Sequence, residues 1–332
     1  MPIKLMCAGD LMTGENVHHY HRGIVTKFRG RYNDLIAENV REIIGQSDYL
    51  LLNFEASLVP DEMIDSLSIE RGVYVAPLES LELLKSLNTG IILNVANNHF
   101  GQHGKDSAGY TIEKLIQAGF LVTGIDNQPV TINREGINLS VWGCSLVKDR
   151  HYDGSYFRSG YETLVNDLKL PEKKQDDIWI LSIHWGEEYY TQQNDAQQHL
   201  AEKLGSAGFD YIIGHHPHVI QPVSKIGDTT VLYSHGNFIF DQNFSSLTQM
   251  GLVSQISPED GIIELFFSQQ EGYRVSRLTP TDEAGVEKFC RKNFHRRKPL
   301  FMRLRMKLEL LYRFHELNRA IIGTFTSRLF RK

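Results

Sequence analysis

Short apolar runs separated by amphipathic stretches recur along the first 240 positions. Ile3 to Ala8 reads as a buried strand closed by Gly9-Asp10, and Tyr49 to Asn53 as a second, ending at Asn53-Phe54-Glu55. Between them, Asn33 to Gln46 places Ile36, Val40, Ile43 and Ile44 at helical spacing. Pro77 opens a helix carrying Leu81, Leu84 and Leu87, a position where a missing N–H costs nothing. Ile91 to Val95 is the next strand, running into Ala96-Asn97-Asn98-His99. A helix over 108–118 follows, then strands near 120–123, 130–133 and 138–143. The second half repeats the alternation: a strand over 178–183 ending at His184-Trp185-Gly186, a helix over 196–207, and strands over 211–213 and 230–233. Residues 262–267 and 273–278 alternate like antiparallel edge strands. Interleaved strands and helices predict an α/β fold. Neither an internal repeat nor a low-complexity tract interrupts the chain, and no Pro/Gly linker precedes about Pro280.

Composition adds two constraints. With 332 residues and 41% hydrophobic content the chain can bury a full core, and its net charge of −5 argues against general nucleic-acid binding. That mean conceals a split. Residues 291–332 hold thirteen Lys and Arg against two acids, a net of +11, which leaves −16 on the remainder. An acidic body with a basic tail points to an anionic partner for the tail. Cys7, Cys144 and Cys290 are too far apart for a metal knuckle and odd in number, as expected in a reducing compartment. No signal-like segment opens the sequence, and no window reaches eighteen uninterrupted apolar residues. The expected location is the cytoplasm, peripheral to the inner face of the membrane if the tail binds it.

Candidate chemistry centres on Ile212-Ile213-Gly214-His215-His216-Pro217-His218-Val219, where three imidazoles follow a strand and a glycine. Histidine is the commonest protein ligand for transition metals, and the proline stiffens the backbone between His216 and His218. A lone His-x-His is equally a polar turn. The rest of the chain changes the balance: Asp10, Glu55, Asn98, His184, His216 and His218 each fall just past the end of a predicted strand. Ligands of α/β sheets bind at that edge. Oxygen and imidazole donors without a thiolate suit Mn, Fe or Zn, and a bridging carboxylate would let two ions sit about 3.5–4 Å apart.

Together these blocks carry a resemblance. Gly9-Asp10-Leu11-Met12, Asn53-Phe54-Glu55, Ala96-Asn97-Asn98-His99, His184 to Tyr189, Gly214 to Val219 and Tyr233 to Asp241 resemble, in order, the motifs of the CapA-type poly-γ-glutamate capsule synthesis family. That family is a branch of the calcineurin-like metallophosphoesterases. The resemblance implies a metallophosphoesterase-like α/β/β/α sandwich, taken to cover residues 1–285; the charge split and helical spacing add a basic amphipathic helical appendage over 286–332. It also implies one or two divalent ions. Asp10 and His218 would hold the first, Glu55 would bridge, and Asn98, His184 and His216 would hold the second. His99 would face the leaving group as a proton donor. Around them, His215, turned away from the metals into a hydrogen bond, and Glu188, Asn237, His235 and Asn97 would orient ligands or touch substrate. Three positions depart from the pattern: Met12 stands where an imidazole is usual, Gln102 replaces an aspartate, and His235 replaces an aliphatic residue.

The implied activity is metal-dependent hydrolysis of a phosphoester or of an amide in an anionic surface polymer. A metal-stabilised, non-catalytic subunit of a polymer synthesis or export complex is the alternative. Neither a Walker loop nor a Gly-x-Ser-x-Gly elbow is present, which disfavours ATP use and serine hydrolysis. The tail lacks the motifs of specific nucleic-acid binding. His18-His19-x-His21 and His103 could line the pocket entrance or sit on exposed loops. Met306, Leu310, Phe314, Leu317 and Ile321 recur at helical spacing among Arg303, Arg305, Lys307, Arg313 and Arg319. Such a helix can lie on an anionic bilayer, bind an acidic polymer or pack on its own acidic body.

Overall fold

The computed structural model describes residues 3–17, 19, 21–258, 260–308 and 311. Its sixteen strands are β1 (Leu5–Leu11), β2 (Tyr49–Phe54), β3 (Ser57–Val59), β4 (Val75–Pro77), β5 (Gly90–Asn94), β6 (Leu121–Thr123), β7 (Val130–Arg134), β8 (Ile137–Ser145), β9 (Asp177–His184), β10 (Tyr211–His215), β11 (Val223–Ile226), β12 (Thr229–Leu232), β13 (Asn237–Ile239), β14 (Met250–Ser257), β15 (Ile262–Glu271) and β16 (Arg274–Thr281). One sheet runs β16-β15-β14-β1-β2-β5-β6 with β13 beside β1; the other runs β11-β12-β10-β9-β8-β7. A small β3–β4 pair stands apart. The central strands of both sheets are parallel, and β14 to β16 extend the first sheet as an antiparallel meander.

Strand alternation builds four layers. In β1, Leu5 and Cys7 face the second sheet, whereas Met6 and Ala8 face helices. Leu51 in β2 and Ile92 in β5 likewise point inward, meeting Val141, Ile180, Ile213 and Leu232 from the other sheet. The outer face of the first sheet is covered by Val40 and Ile44 of the helix Glu38–Ile44 and by Ala108 and Leu115 of the helix Lys105–Gln117. Trp142, Leu181, Ile183 and Ile212 turn outward on the second sheet, against Leu200 and Leu204 of the helix Asp195–Ser206. Strands covered on both faces read as near-continuous apolar runs, which is why β1, β2, β5 and β9 stand out in the sequence. The result is the α/β/β/α sandwich that the resemblance implies.

The boundary expected at 286 falls inside the helix Glu283–Asn293, whose Val286 and Cys290 are fully buried among the residues between the sheets. Residues 298–308 form a further helix, and Met302 and Met306 pack it onto Tyr189, Val219, Phe244 and Leu247. Leu310, Phe314, Leu317, Ile321, Arg313 and Arg319 lie outside the described residues. Among those described, no helix is long and apolar enough to cross a membrane.

Candidate metal centre

The parallel strands β1, β2 and β5 of one sheet and β9 and β10 of the other end at the same edge, and their exits meet. Asp10 is fully buried near the end of β1, where its N–H donates to Gly236 O at 2.9 Å. The approach is close: a Cβ on Gly9 would lie 1.9 Å from that same carbonyl oxygen, so only glycine fits before Asp10. Glu55 follows β2 and is fully buried as well. His184 is the last residue of β9. A ligand atom from each of Asp10, Glu55 and His184 lies within 4.8 Å of the others.

Asn98 completes this side. His184 Nε2 donates to Asn98 Oδ1 at 2.8 Å, and His184 Nδ1 lies 3.4 Å from Glu55 Oε1. His216 and His218 leave β10 with φ of 95° and 57°, left-handed conformations that cost residues with side chains roughly 1–3 kcal/mol each. That strain aims the two rings at the centre. His216 sits 4.7 Å from the His184 ring, centroid to centroid, and its Nδ1 has no protein partner. His218 Nδ1 lies 2.9 Å from Asn237 Oδ1 and 3.2 Å from Asp10 Oδ2.

The electrostatics are those of a site short of positive charge. Burial raises the Glu55 carboxyl well above the ordinary range, and the Asp10 charge adds to it. Burial would also raise Asp10, but the imidazoles of His215 and His218 beside it hold it well below the ordinary value. Burial pushes His216 down to about 3 and His184 well below its ordinary value. His218 moves the other way: burial opposes its charge, yet the Asp10 hydrogen bond and the Glu55 and Asp10 charges bring it to about 9. Glu55 Oε2 and His216 Nδ1 are buried polar atoms without a partner. Orphaned acceptors of this kind, beside neutral imidazoles, fit a divalent cation.

The surrounding residues divide. Asn97 Nδ2 donates to Phe54 O at 2.8 Å and its Oδ1 accepts from His99 N–H at 3.2 Å, tying the exits of β2 and β5 together. Asn237 Oδ1 accepts from His218, as an orienting residue should. His215 was expected to turn away into a hydrogen bond. Instead it shares the inward face of β10 with Ile213, lies 3.4 Å from Asp10 Oδ1, and makes no hydrogen bond through either ring nitrogen. His235 is buried behind it, bonded to Ser254 Oγ at 3.0 Å, out of reach of any substrate. Glu188 does not orient His184, whose ring nitrogens face Asn53, Glu55 and Asn98; its charge instead adds to those that raise Glu55 and His218.

His99 stacks on Tyr74 at 3.7 Å and donates from Nδ1 to Gln102 Oε1 at 3.2 Å, so Gln102 takes the orienting place of the usual aspartate. Burial pushes the ring down to about 4, and its Nε2 lone pair faces Asn98 Nδ2 at 3.3 Å. The ring thus presents an acceptor where a donor was expected. Asn98, His99, Gln102 and Tyr74 line an open cleft of about 820 Å³, whose lining also includes Lys148, Asp149 and Arg150. Met12 is fully buried in the apolar layer and supplies no imidazole. His103 donates from Nε2 to Val73 O at 2.7 Å, a structural contact, and His19 is held by Asn16 Oδ1; His18 lies outside the described residues.

Asn53 was not singled out from the sequence. Its Nδ2 donates to Asp10 Oδ1 at 2.8 Å and Glu55 Oε1 at 2.9 Å, and faces His184 Nδ1 at 3.3 Å, so one amide spaces three candidate ligands. The available signal was its place at the end of an apolar strand.

Comparison with known proteins matches this geometry to a family. The chain is 30% identical over 264 residues to "PGA biosynthesis protein CapA" of Bacillus subtilis (strain 168), covering 76% of this chain and 67% of that one. It is 26% identical over 275 residues to "Capsule biosynthesis protein CapA" of Bacillus anthracis, covering 78% and 65%. A shorter stretch of 118 residues, 33% of this chain and 30% of the other, is 30% identical to a "Probable polyglutamine synthesis accessory protein" of Mycobacterium tuberculosis (strain CDC 1551 / Oshkosh). The chain spans about two thirds of the length of the two Bacillus relatives. Residues 4–242, which hold every candidate ligand, match the family described as "Bacterial capsule synthesis protein PGA_cap", and the chain belongs to that family.

Proposed function

We propose that this chain is a metal-dependent hydrolase that acts on an anionic capsule polymer of the poly-γ-glutamate type, or on a phosphoester linked to its synthesis. The observation that carries the reading is the buried donor set with its orphaned atoms, Glu55 Oε2 and His216 Nδ1, opening onto a cleft beside His99. Asp10, Glu55, Asn98, His184, His216 and His218 would hold one or two divalent ions (Mn, Fe or Zn). Such ions supply Lewis acidity to a carbonyl or phosphoryl oxygen and lower the pKa of water. The chain's own residues do the rest. His99, neutral and fixed through Nδ1 by Gln102, would take up at Nε2 the proton lost by the attacking water as its oxygen bonds the scissile carbon or phosphorus, and give it to the leaving atom as that bond breaks. Lys148 and Arg150 also line the cleft and, against the single acid Asp149 between them, leave a net positive charge for an anionic chain lying across it.

Metal analysis of the purified protein, paired with generic phosphodiester and γ-glutamyl substrates, tests this. The expected result is bound metal and a turnover that Asn98→Ala and His99→Ala each lower at least a hundredfold. Protein without metal that turns over neither substrate overturns the reading. A second reading, a metal-stabilised accessory subunit, is favoured by Met12, which leaves the first site without its usual imidazole. It predicts bound metal with no turnover of either substrate.

A further inference from the structure

We propose that the helix over residues 298–308, with Leu311 beyond it, is a membrane-surface helix that docks the protein on an anionic lipid bilayer. Eleven large hydrophobic side chains are exposed among the described residues, and five of them, Leu300, Phe301, Leu304, Leu308 and Leu311, lie in this short stretch, with Phe294 just before it. At about 100° per residue, the five from Leu300 to Leu311 fall within one arc of about 100°. Met302 and Met306 project from the other side and are the residues that pack on the body. The helix therefore has two apolar faces, one spent on the fold and one presented outward, with exposures of 49% at Leu304 and 66% at Leu300 and Leu311.

Charge identifies the occupant of the outward face. Arg303 and Lys307 border the arc on one edge, with Arg297 and Lys298 at its start, while Arg305 on the other edge donates to Phe244 O at 2.9 Å; no acid stands between Glu287 and Glu309. An apolar stripe flanked by basic side chains matches a bilayer interface, with the stripe at the acyl boundary and the cations at lipid phosphates. A second copy of the chain fits poorly, because pairing this face with itself sets Arg303 and Lys307 against their own counterparts. The body carries a net charge of −16 without residues 291–332, so an anionic surface repels it and only the helix side approaches. Tyr189 joins this helix to the metal centre: its hydroxyl donates to Met306 Sδ at 3.2 Å, and its ring lies 6.2 Å from that of His218. Docking by this face brings the candidate metal centre close to the membrane.

Vesicle sedimentation of the full chain tests the assignment, and it is independent of whether the metal centre is catalytic. On phosphatidylglycerol/phosphatidylcholine vesicles at low ionic strength, we expect at least tenfold more bound protein than on phosphatidylcholine alone. The double variant Leu304→Asp/Leu308→Asp should lose at least tenfold, and Arg303→Gln/Lys307→Gln should weaken binding and flatten its salt dependence. Both variants should keep the parent's far-UV circular dichroism, since all four altered residues are exposed. A parent that stays in the supernatant with anionic vesicles overturns the proposal. So does binding that the aspartate pair leaves unchanged, which would reduce the contact to charge alone. A dimer seen by light scattering, abolished by the aspartate pair and indifferent to vesicles, would assign the face to a second copy instead.

Discussion

At Glu55 a carboxylate is buried beside that of Asp10, bonded at one oxygen by Asn53 and orphaned at the other. A protein with no use for that oxygen would carry an amide there. Glu55→Gln should therefore unfold no earlier than the parent in EDTA, while its affinity for Mn²⁺ falls at least tenfold, about 1.4 kcal/mol. Differential scanning with and without metal measures both; a variant that loses stability equally in each condition makes Glu55 merely structural. Met12 gives a second prediction. With methionine rather than an imidazole at position 12, the first site would have one donor fewer than the second, so calorimetric titration of metal-free protein with Mn²⁺ should resolve one tight and one weaker event. Two equally tight events count against the assignment. The sequence placed Asp10, Glu55, Asn98, His184, His216 and His218 at strand ends, and the structure gathers them at one edge. It could not place Asn53 or separate the histidines of 215–218, because an imidazole's role depends on where its ring points. The left-handed φ at His216 and His218, which sets that direction, has no signature in residue type.

Among the elements, the helix Asp195–Ser206 connects the two halves of the second-sheet ligand set, following His184 and leading into β10. Asn194 caps it, accepting from Gln197 N–H at 2.9 Å, while Gln197 Oε1 accepts from Asn194 N–H at 3.0 Å. Gln197 is fully buried and also donates to Gln221 Oε1, and Gln221 bonds the carbonyls of Tyr190 and Gln192. Asn194→Ala should cost about 1 kcal/mol, the usual value of an N-cap. Gln197→Ala should cost about 2–3 kcal/mol, because it also strands the buried Gln221 amide. Urea unfolding of the metal-loaded protein checks the order; equal losses would mean that Gln221 finds another partner. Apolar periodicity located this helix to within a residue at each end. It missed β14, where Gly251, Ser254 and Gln255 interrupt the apolar run even though the strand lies antiparallel to β1 and pairs Ser254 with Cys7. Strands defined by a distant partner rather than by their own pattern are the ones local reading overlooks.

For the whole molecule, the candidate ligands come from both sheets: Asp10, Glu55 and Asn98 from one, His184, His216 and His218 from the other. At this edge the layers meet through buried polar groups, several of them unsatisfied, while Leu5, Leu51, Ile180 and Ile213 join the sheets below. The sandwich was legible because its central strands are apolar on both faces. The second apolar face of the helix over 298–308 was not, since the sequence stripe ran through Met306, which turns out to belong to the packed side. A cation at the edge would tie the two sheets where they are least well joined. Binding only the folded state, it should add about 2.7 kcal/mol at a hundredfold excess over Kd. For a chain of this size that amounts to a rise of several degrees in Tm, on the scale of roughly 2 °C per kcal/mol. Hydrogen exchange should slow with Mn²⁺ at the ends of β1, β2, β9 and β10 together, because each end contributes to the site or adjoins a residue that does. Protection confined to one sheet, or a Tm that EDTA leaves unchanged, would mean that the cluster does not bridge the layers.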